Sequence, residues 1–274
     1  MTRTQTEKAA RFLALHDAPG TFVIPNPWDV GSARLLAGLG FQALATSSAA
    51  AACAVGRRDH ELTRDESLAH ARMIVDATDL PVSADLGKGF GDEPEVVAET
   101  IRLAAKVGLV GCTIEDSTGN HEKPLYDDAV AVERIAAAVE AARSLPFPFM
   151  LTARAHGLLY PSGSLDATLR RLQEFEKVGA GVLFAPGLQD LASVRQVCGA
   201  LSKPFNFMVG MKGKSFSVAE LAAAGVKRIS LATSLYRAAM NGFLIATREV
   251  KDSGQFSFVD ESVTTAELYS LMKS

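Results

Sequence analysis

AAKVGLVGCTI, residues 104–114, decides how this chain folds. It begins as the end of a helical stretch, stops at Gly108, and continues as a short apolar run. Glycine takes the left-handed backbone conformation cheaply, so it can end a helix and turn the chain straight into a strand. The same junction recurs in LAGLGFQAL (36–44), FEKVGAGVLFA (175–185) and LAAAGVKRISL (221–231), with Gly40, Gly179 and Gly225 at the turn. The four junctions form a weak internal repeat.

Eight β-type runs accompany them: TFVIPN (21–26), FQALATSS (41–48), LPVSAD (80–85), GCTIED (111–116), FMLTARA (149–155), GVLFAPG (181–187), PFNFMVG (204–210) and RISLATS (228–234). Most are continuously apolar, as parallel strands buried on both faces are. Between them DVGSARLLAGLG, DEPEVVAETIRLAAKVG, SLDATLRRLQEFEKVG and SVAELAAAG carry apolar residues at three- and four-residue spacing. Eight strands alternating with helices over about 250 residues is the pattern of a (β/α)8 barrel; a doubly wound sheet is the alternative. With no linker or low-complexity segment in view, residues 1–274 are expected to form one domain. The segments 234–254 and 264–274 add more helix than a minimal barrel needs, a surplus suited to contacts between subunits.

Composition narrows the function classes. The 274 residues carry a net charge of -3, which gives no electrostatic reason to bind nucleic acid or an anionic membrane. No apolar run reaches the roughly 18 residues of a membrane span. The N-terminal 17 residues read as an amphipathic helix and not as a signal peptide. Cys53, Cys112 and Cys198 lie far apart and read as reduced thiols of a cytoplasmic protein.

Barrel chemistry collects at the C-terminal ends of the strands. There the sequence places Thr46-Ser47-Ser48, Asp85, Glu115-Asp116-Ser117, Arg154 followed by Ala155 and His156, Asn206, and Thr233-Ser234. Several acids and one arginine suit a hard divalent cation with a carboxylate substrate clamped by the arginine. Magnesium needs only one or two protein carboxylates, and Asp85 with Glu115 would suffice. Taken singly, each residue also has a plain reading: a turn or cap acid, or an arginine paired with a neighbour. Amides and hydroxyls at Ser47-Ser48 could bind a carboxylate or oxyanion.

PVSADLGKGFGD, residues 81–92, has three readings: metal site, phosphate cradle or tight turn. It lacks the spacing of a phosphate-binding loop, so its glycines are expected to turn the chain over the mouth. The five histidines show no zinc spacing, and Ser47-Ser48 lacks a nucleophile elbow.

In PNPWDVGSARLL, the TSSAA turn, VGRRD ending in Asp59, SADLGKGFGD, GCTIEDS, LTARAHG, VGAGVLFAPGL, KPFNF and VKRISLATSLYRAA, in that order, the chain resembles the isocitrate lyase/phosphoenolpyruvate mutase superfamily. The likeness spans nearly the whole chain and points to the short, oxaloacetate decarboxylase-like and phosphonomutase-like branches. It implies a (β/α)8 barrel whose eighth helix is exchanged between subunits of a homodimer or homotetramer. It also implies Mg2+ or Mn2+, and cleavage or rearrangement of a C–C or P–C bond in a small 2-oxo or 2-hydroxy acid through a metal-stabilised enolate. By the same resemblance Asp85 is the metal carboxylate and Glu115 a further acid of the metal shell. Asp59 lines the site, Arg154 faces the substrate, and Ser47, Ser48 and Ala49 cradle its carboxylate.

The chain also departs from that family. Gly87 stands where a second acid is usual, Lys88 follows it, and Phe90 replaces a tyrosine. After Arg154 come Ala155 and His156 instead of Thr-Asp, and DSTGNHEKPLYDD carries no cysteine as general acid. Metal affinity is expected to be weakened by Gly87, with Lys88 either supplying charge at the metal position or pointing to solvent. Three functions stay open: a C–C lyase or hydrolase, a P–C enzyme, and a non-catalytic barrel that binds oxo acids.

Overall fold

The computed structural model describes residues 3–272. Eight parallel strands form its centre: β1 (Phe22–Ile24), β2 (Leu44–Ala45), β3 (Val82–Asp85), β4 (Gly111–Glu115), β5 (Met150–Arg154), β6 (Val182–Phe184), β7 (Phe205–Met208) and β8 (Arg228–Ser230). They pair in the order β1-β8-β7-β6-β5-β4-β3-β2. The Ala45 N–H donates to the Pro25 carbonyl at 3.0 Å, which brings β1 and β2 together and nearly closes the barrel.

Helices α1 (Gln5–Asp17), α2 (Val30–Gly38), α3 (Ser48–Ala54), α4 (Arg64–Ala77), α5 (Pro94–Lys106) and α6 (Asp128–Arg143) accompany the first half. The second half carries α7 (Leu165–Lys177), α8 (Leu191–Gly199), α9 (Val218–Ala223), α10 (Ser234–Ser253), α11 (Phe258–Glu261) and α12 (Thr265–Leu271). Hydroxyl or acidic caps start many of them. Thr63 accepts from the Glu66 amide while Glu66 reaches back to the Thr63 amide, so two orphan donors are satisfied at once.

All four junction glycines have positive φ, from 88° at Gly40 to 104° at Gly179. At Gly108 space is limiting as well, because a Cβ there would stand 2.7 Å from Val75 Cγ1. The barrel interior and the layer under the helices are apolar; Ile101, Leu109, Ile114 and Phe175 are fully buried. Burying such a side chain contributes about 1.5–3 kcal/mol.

A buried cation, Arg228, lies inside the barrel. Arg228 donates from Nε to Asn206 Oδ1 at 2.7 Å and from Nη2 to Thr152 Oγ1 at 2.9 Å. His16 of α1 approaches Arg228 Nη1 at 3.3 Å through Nε2, while its Nδ1 lies 2.8 Å from the Phe12 carbonyl. Nδ1 therefore carries the proton and the ring is neutral. Burial first, then the Arg228 charge, pushes His16 down to about 3.

The C-terminal helices differ from the rest. α10 buries none of its residues, and Phe243, Leu244, Ile245 and Val250 are exposed along it. Phe256, Val259, Val263 and Tyr269 continue the exposed apolar surface. Residues expected as a simple turn after Ser47 instead form α3. Ser47 Oγ accepts from the Ala50 amide at 3.3 Å, and the alanine run that follows is strongly helix-forming.

Candidate active site

Three adjacent strands end in the charged residues of the mouth. Asp85 closes β3 beside Thr113, and Glu115 of β4 is in register with Arg154 of β5. Arg154 Nη1 lies 3.3 Å from Glu115 Oε2 and 3.9 Å from Asp85 Oδ2, so one guanidinium bridges both carboxylates. Arg154 also rests over the Phe184 ring, 5.0 Å from its centroid.

Asp85 is held from the other side by α3. Ser48 donates to Asp85 Oδ2 from its hydroxyl at 3.0 Å and from its amide at 3.4 Å. The Gly87 amide donates to Asp85 Oδ1 at 3.3 Å. Ser47 caps α3, and Ala49 is the second residue of that helix. The Ser47-Ser48 turn thus meets a carboxylate of the protein itself in this structure.

Glu115 is 3% exposed. Desolvation pushes its carboxyl up to about 8, against the pull of Arg154 and with help from Asp85, Asp116 and Asp59. Arg154 Nη2 donates to His156 Nε2, which leaves His156 Nδ1 as the N–H, 3.4 Å from Glu115 Oε1. Burial and the Arg154 charge hold His156 down at about 2, so the ring is neutral. Glu115 Oε1, Arg154 Nε and His156 Nδ1 are all buried with no hydrogen-bond partner. Buried polar atoms of this kind are usually satisfied by water, an ion or a ligand.

Asp116 faces away from this cluster. It accepts from the His156 amide at 2.7 Å and pairs with Arg171 at 2.8 Å, so it positions the β5 end. Asn206 sits deeper, 1% exposed, its amide committed to Arg228 and Ser230. A cavity of about 50 Å³ inside the barrel is lined both by Asn206 and by Asp85 and Arg154, linking that layer to the mouth.

Lys88 Nζ donates to Asp92 Oδ1 at 2.6 Å and to the Thr118 carbonyl at 2.9 Å, and pairs with neither Asp85 nor Glu115. The cation between those carboxylates is Arg154. The glycine-rich loop is clamped from beneath by Arg134, which donates to the Lys88, Gly91 and Asp92 carbonyls and stacks on Tyr126. Carbonyls turned toward a guanidinium cannot serve as a phosphate cradle, which needs amides.

Asp59 lies in the exposed loop between α3 and α4, its Oδ1 accepting from the His60 amide at 3.0 Å. His60 lines a cleft of about 380 Å³ together with Ser48, Asp85, Gly87, Lys88 and Glu115. Nothing in the sequence singles out Arg134, Arg171 or Arg228, whose partners lie more than 20 residues away in the chain, and His60 pairs only with its neighbour Asp59. Among the described residues no group of three or more histidine, cysteine, aspartate or glutamate side chains is arranged to hold a metal ion. Nor is any helix of the described residues long and apolar enough to cross a membrane.

Asp85, Glu115, Arg154 and the start of α3 thus meet at the C-terminal mouth of the (β/α)8 barrel. The chain belongs to the phosphoenolpyruvate phosphomutase family, whose profile matches residues 12–251. It is similar to 2-methylisocitrate lyase of Escherichia coli strain K12, with 31% identity over 84% of this chain and 80% of that one. A crystal structure from Burkholderia cenocepacia J2315, provisionally described as a lyase/mutase, superposes with a TM-score of 0.95. The two share 49% identity over 97% of this chain and 96% of that one. The structure of 2,3-dimethylmalate lyase superposes at 0.86 with 28% identity over 97% and 95% of the two chains.

Proposed function

We propose that the protein is a carbon–carbon lyase that cleaves a small 2-oxo or 2-hydroxy acid next to its carboxylate through an enolate. The observation that carries this reading is the Arg154–Glu115–Asp85 cluster with its three unpartnered buried atoms. The relatives named as lyases of 2-methylisocitrate and 2,3-dimethylmalate support it. Family membership also keeps P–C rearrangement as the second reading.

In this reading Arg154 turns from the two carboxylates to the substrate carboxylate, and the amides of Ser47, Ser48 and Ala49 at the start of α3 take the other oxygens. Asp59 lines the outer wall of the cleft, and Asn206 supports the inner layer. A preorganised guanidinium stabilises negative charge where it develops, which is the largest kind of catalytic contribution.

A divalent cation, Mg2+ or Mn2+, fits Asp85 and Glu115. Glu115 Oε1 is a buried acceptor with no partner, and a carboxyl pushed up to about 8 by burial is ionised again by a cation beside it. When bound, the cation supplies positive charge against a developing oxyanion. Gly87 leaves the site one acid short, so affinity is modest. The exposed apolar face of α10–α12 is the surface we assign to a second copy of this chain, in a homodimer or homotetramer with exchanged helices. The cytoplasm is the assigned compartment.

Calorimetric titration with oxalate, a planar enolate mimic, tests the site. Wild type binds oxalate and Arg154→Ala loses at least tenfold in affinity. Equal affinity in both proteins overturns the assignment.

A further inference from the structure

We propose that His60 is the acid that delivers a proton to the enolate carbon, with Asp59 holding the ring; this rests on the lyase reading above. His60 has φ +67°, a left-handed conformation that a side chain rarely adopts and that costs about 1–2 kcal/mol. Such outliers concentrate where function requires them. Here the outlier turns the imidazole to the cleft that Asp85, Gly87 and Glu115 also line.

The two ring nitrogens have different neighbours. Nε2 is 3.7 Å from Asp59 Oδ2. Nδ1 points toward Gly87, where an added Cβ would be 3.8 Å away. Gly87 carries no side chain, so the approach to Nδ1 stays open. His60 is also more than half exposed, so water can return its proton.

The other groups of the cleft are committed elsewhere. Lys88 is tied to Asp92 and Thr118, and in the lyase reading Glu115 holds the cation. No cysteine lines the cleft. The charged and titratable groups around His60 are Asp59 on its own loop, Asp85, Lys88 and Glu115 across the cleft, and the neutral His156.

The step balances simply. The enolate carbon takes the Nδ1 proton as its electron pair forms the new C–H bond. The N–H electrons remain on the ring, which is left neutral and is reprotonated from water. In reverse, neutral His60 removes a proton from the carbon next to an oxo group. Pyruvate in D2O therefore reports on it through loss of the methyl proton NMR signal.

The experiment compares wild type, His60→Asn and Asp59→Asn, measuring pyruvate exchange and oxalate affinity together. Asparagine tolerates the left-handed backbone, so the loop keeps its path. We expect exchange by wild type, a fall of about 10²–10⁴-fold in His60→Asn, and a smaller fall in Asp59→Asn. Both variants should still bind oxalate measurably, since Arg154 and the start of α3 are unchanged. Exchange by His60→Asn at the wild-type rate overturns the proposal, as does a wild type that binds oxalate without exchanging pyruvate. A wild type that binds no oxalate overturns the lyase reading itself.

Discussion

Arg154 and Glu115 face each other from adjacent strands, with Nη1 3.3 Å from Oε2. Opposite charges this close are usually a stable pair, yet Glu115 is pushed up to about 8 because its burial outweighs the arginine. In the proposed lyase an anionic substrate would draw Arg154 away, and a cation would take its place beside Glu115.

Replacing Arg154 should separate catalysis from folding. Arg154→Lys keeps the charge but loses the planar fork, and steady-state kinetics should show a loss of about 10²–10³ in kcat. Circular dichroism should be unchanged. A kcat within threefold of wild type would show that the guanidinium does not face the reacting centre.

Cation affinity should respond to position 87 and not to Lys88. Gly87 has φ +52°, which aspartate tolerates better than most residues, and the space beside it is open. Calorimetry with Mn2+ should show Gly87→Asp binding at least tenfold tighter than wild type. Lys88→Ala should bind as wild type does, because its ammonium belongs to Asp92. Chelation should lower wild-type turnover, and added Mg2+ should restore it.

Acid should weaken the fold through His16. Folded His16 is held near 3, whereas the unfolded side chain titrates near 6.5. Unfolded chains therefore take up the proton first as pH falls. Stability is full above pH 6.5 and is lost from there down to about 3, by a few kcal/mol at most. Urea denaturation at pH 7.5, 5.5 and 4.5 should show this fall. His16→Leu should be less stable at pH 7.5 and show a flatter profile.

Gly108→Ala tests the junction that defines the fold. The alanine must take φ +93° and place its Cβ against Val75. A loss of about 1–3 kcal/mol by chemical denaturation is expected. An unchanged midpoint would mean that the helix end relaxes freely.

The apolar face of α10 predicts self-association. Sedimentation velocity should give a dimer or larger, and Phe243→Asp with Ile245→Asp should shift it toward monomer.

Much of the barrel was legible in the sequence because its junctions carry a local signal. Gly40, Gly108, Gly179 and Gly225 each need a backbone that only glycine adopts freely, and all four have it. Asp85, Glu115 and Arg154 were legible as strand-end residues, and the structure brings them into one cluster. Depth was not legible: Asn206 looks like a mouth residue, but the register pairs it with Arg228, one layer down. Nor was His60, since a left-handed histidine in an exposed loop leaves no periodic trace. Arg134 escaped for the same reason as Arg228, because each serves backbone or side chains more than 20 residues away.

The central claim is that this mouth cleaves carbon–carbon bonds next to a carboxylate. Proton NMR of the purified protein with Mg2+ and, in turn, oxaloacetate, 2-methylisocitrate, 2,3-dimethylmalate and phosphonopyruvate tests it directly. The expected result is cleavage of at least one of the three carbon substrates, abolished in Arg154→Ala. Turnover of phosphonopyruvate alone, or of none of the four by a protein that binds oxalate, would contradict it.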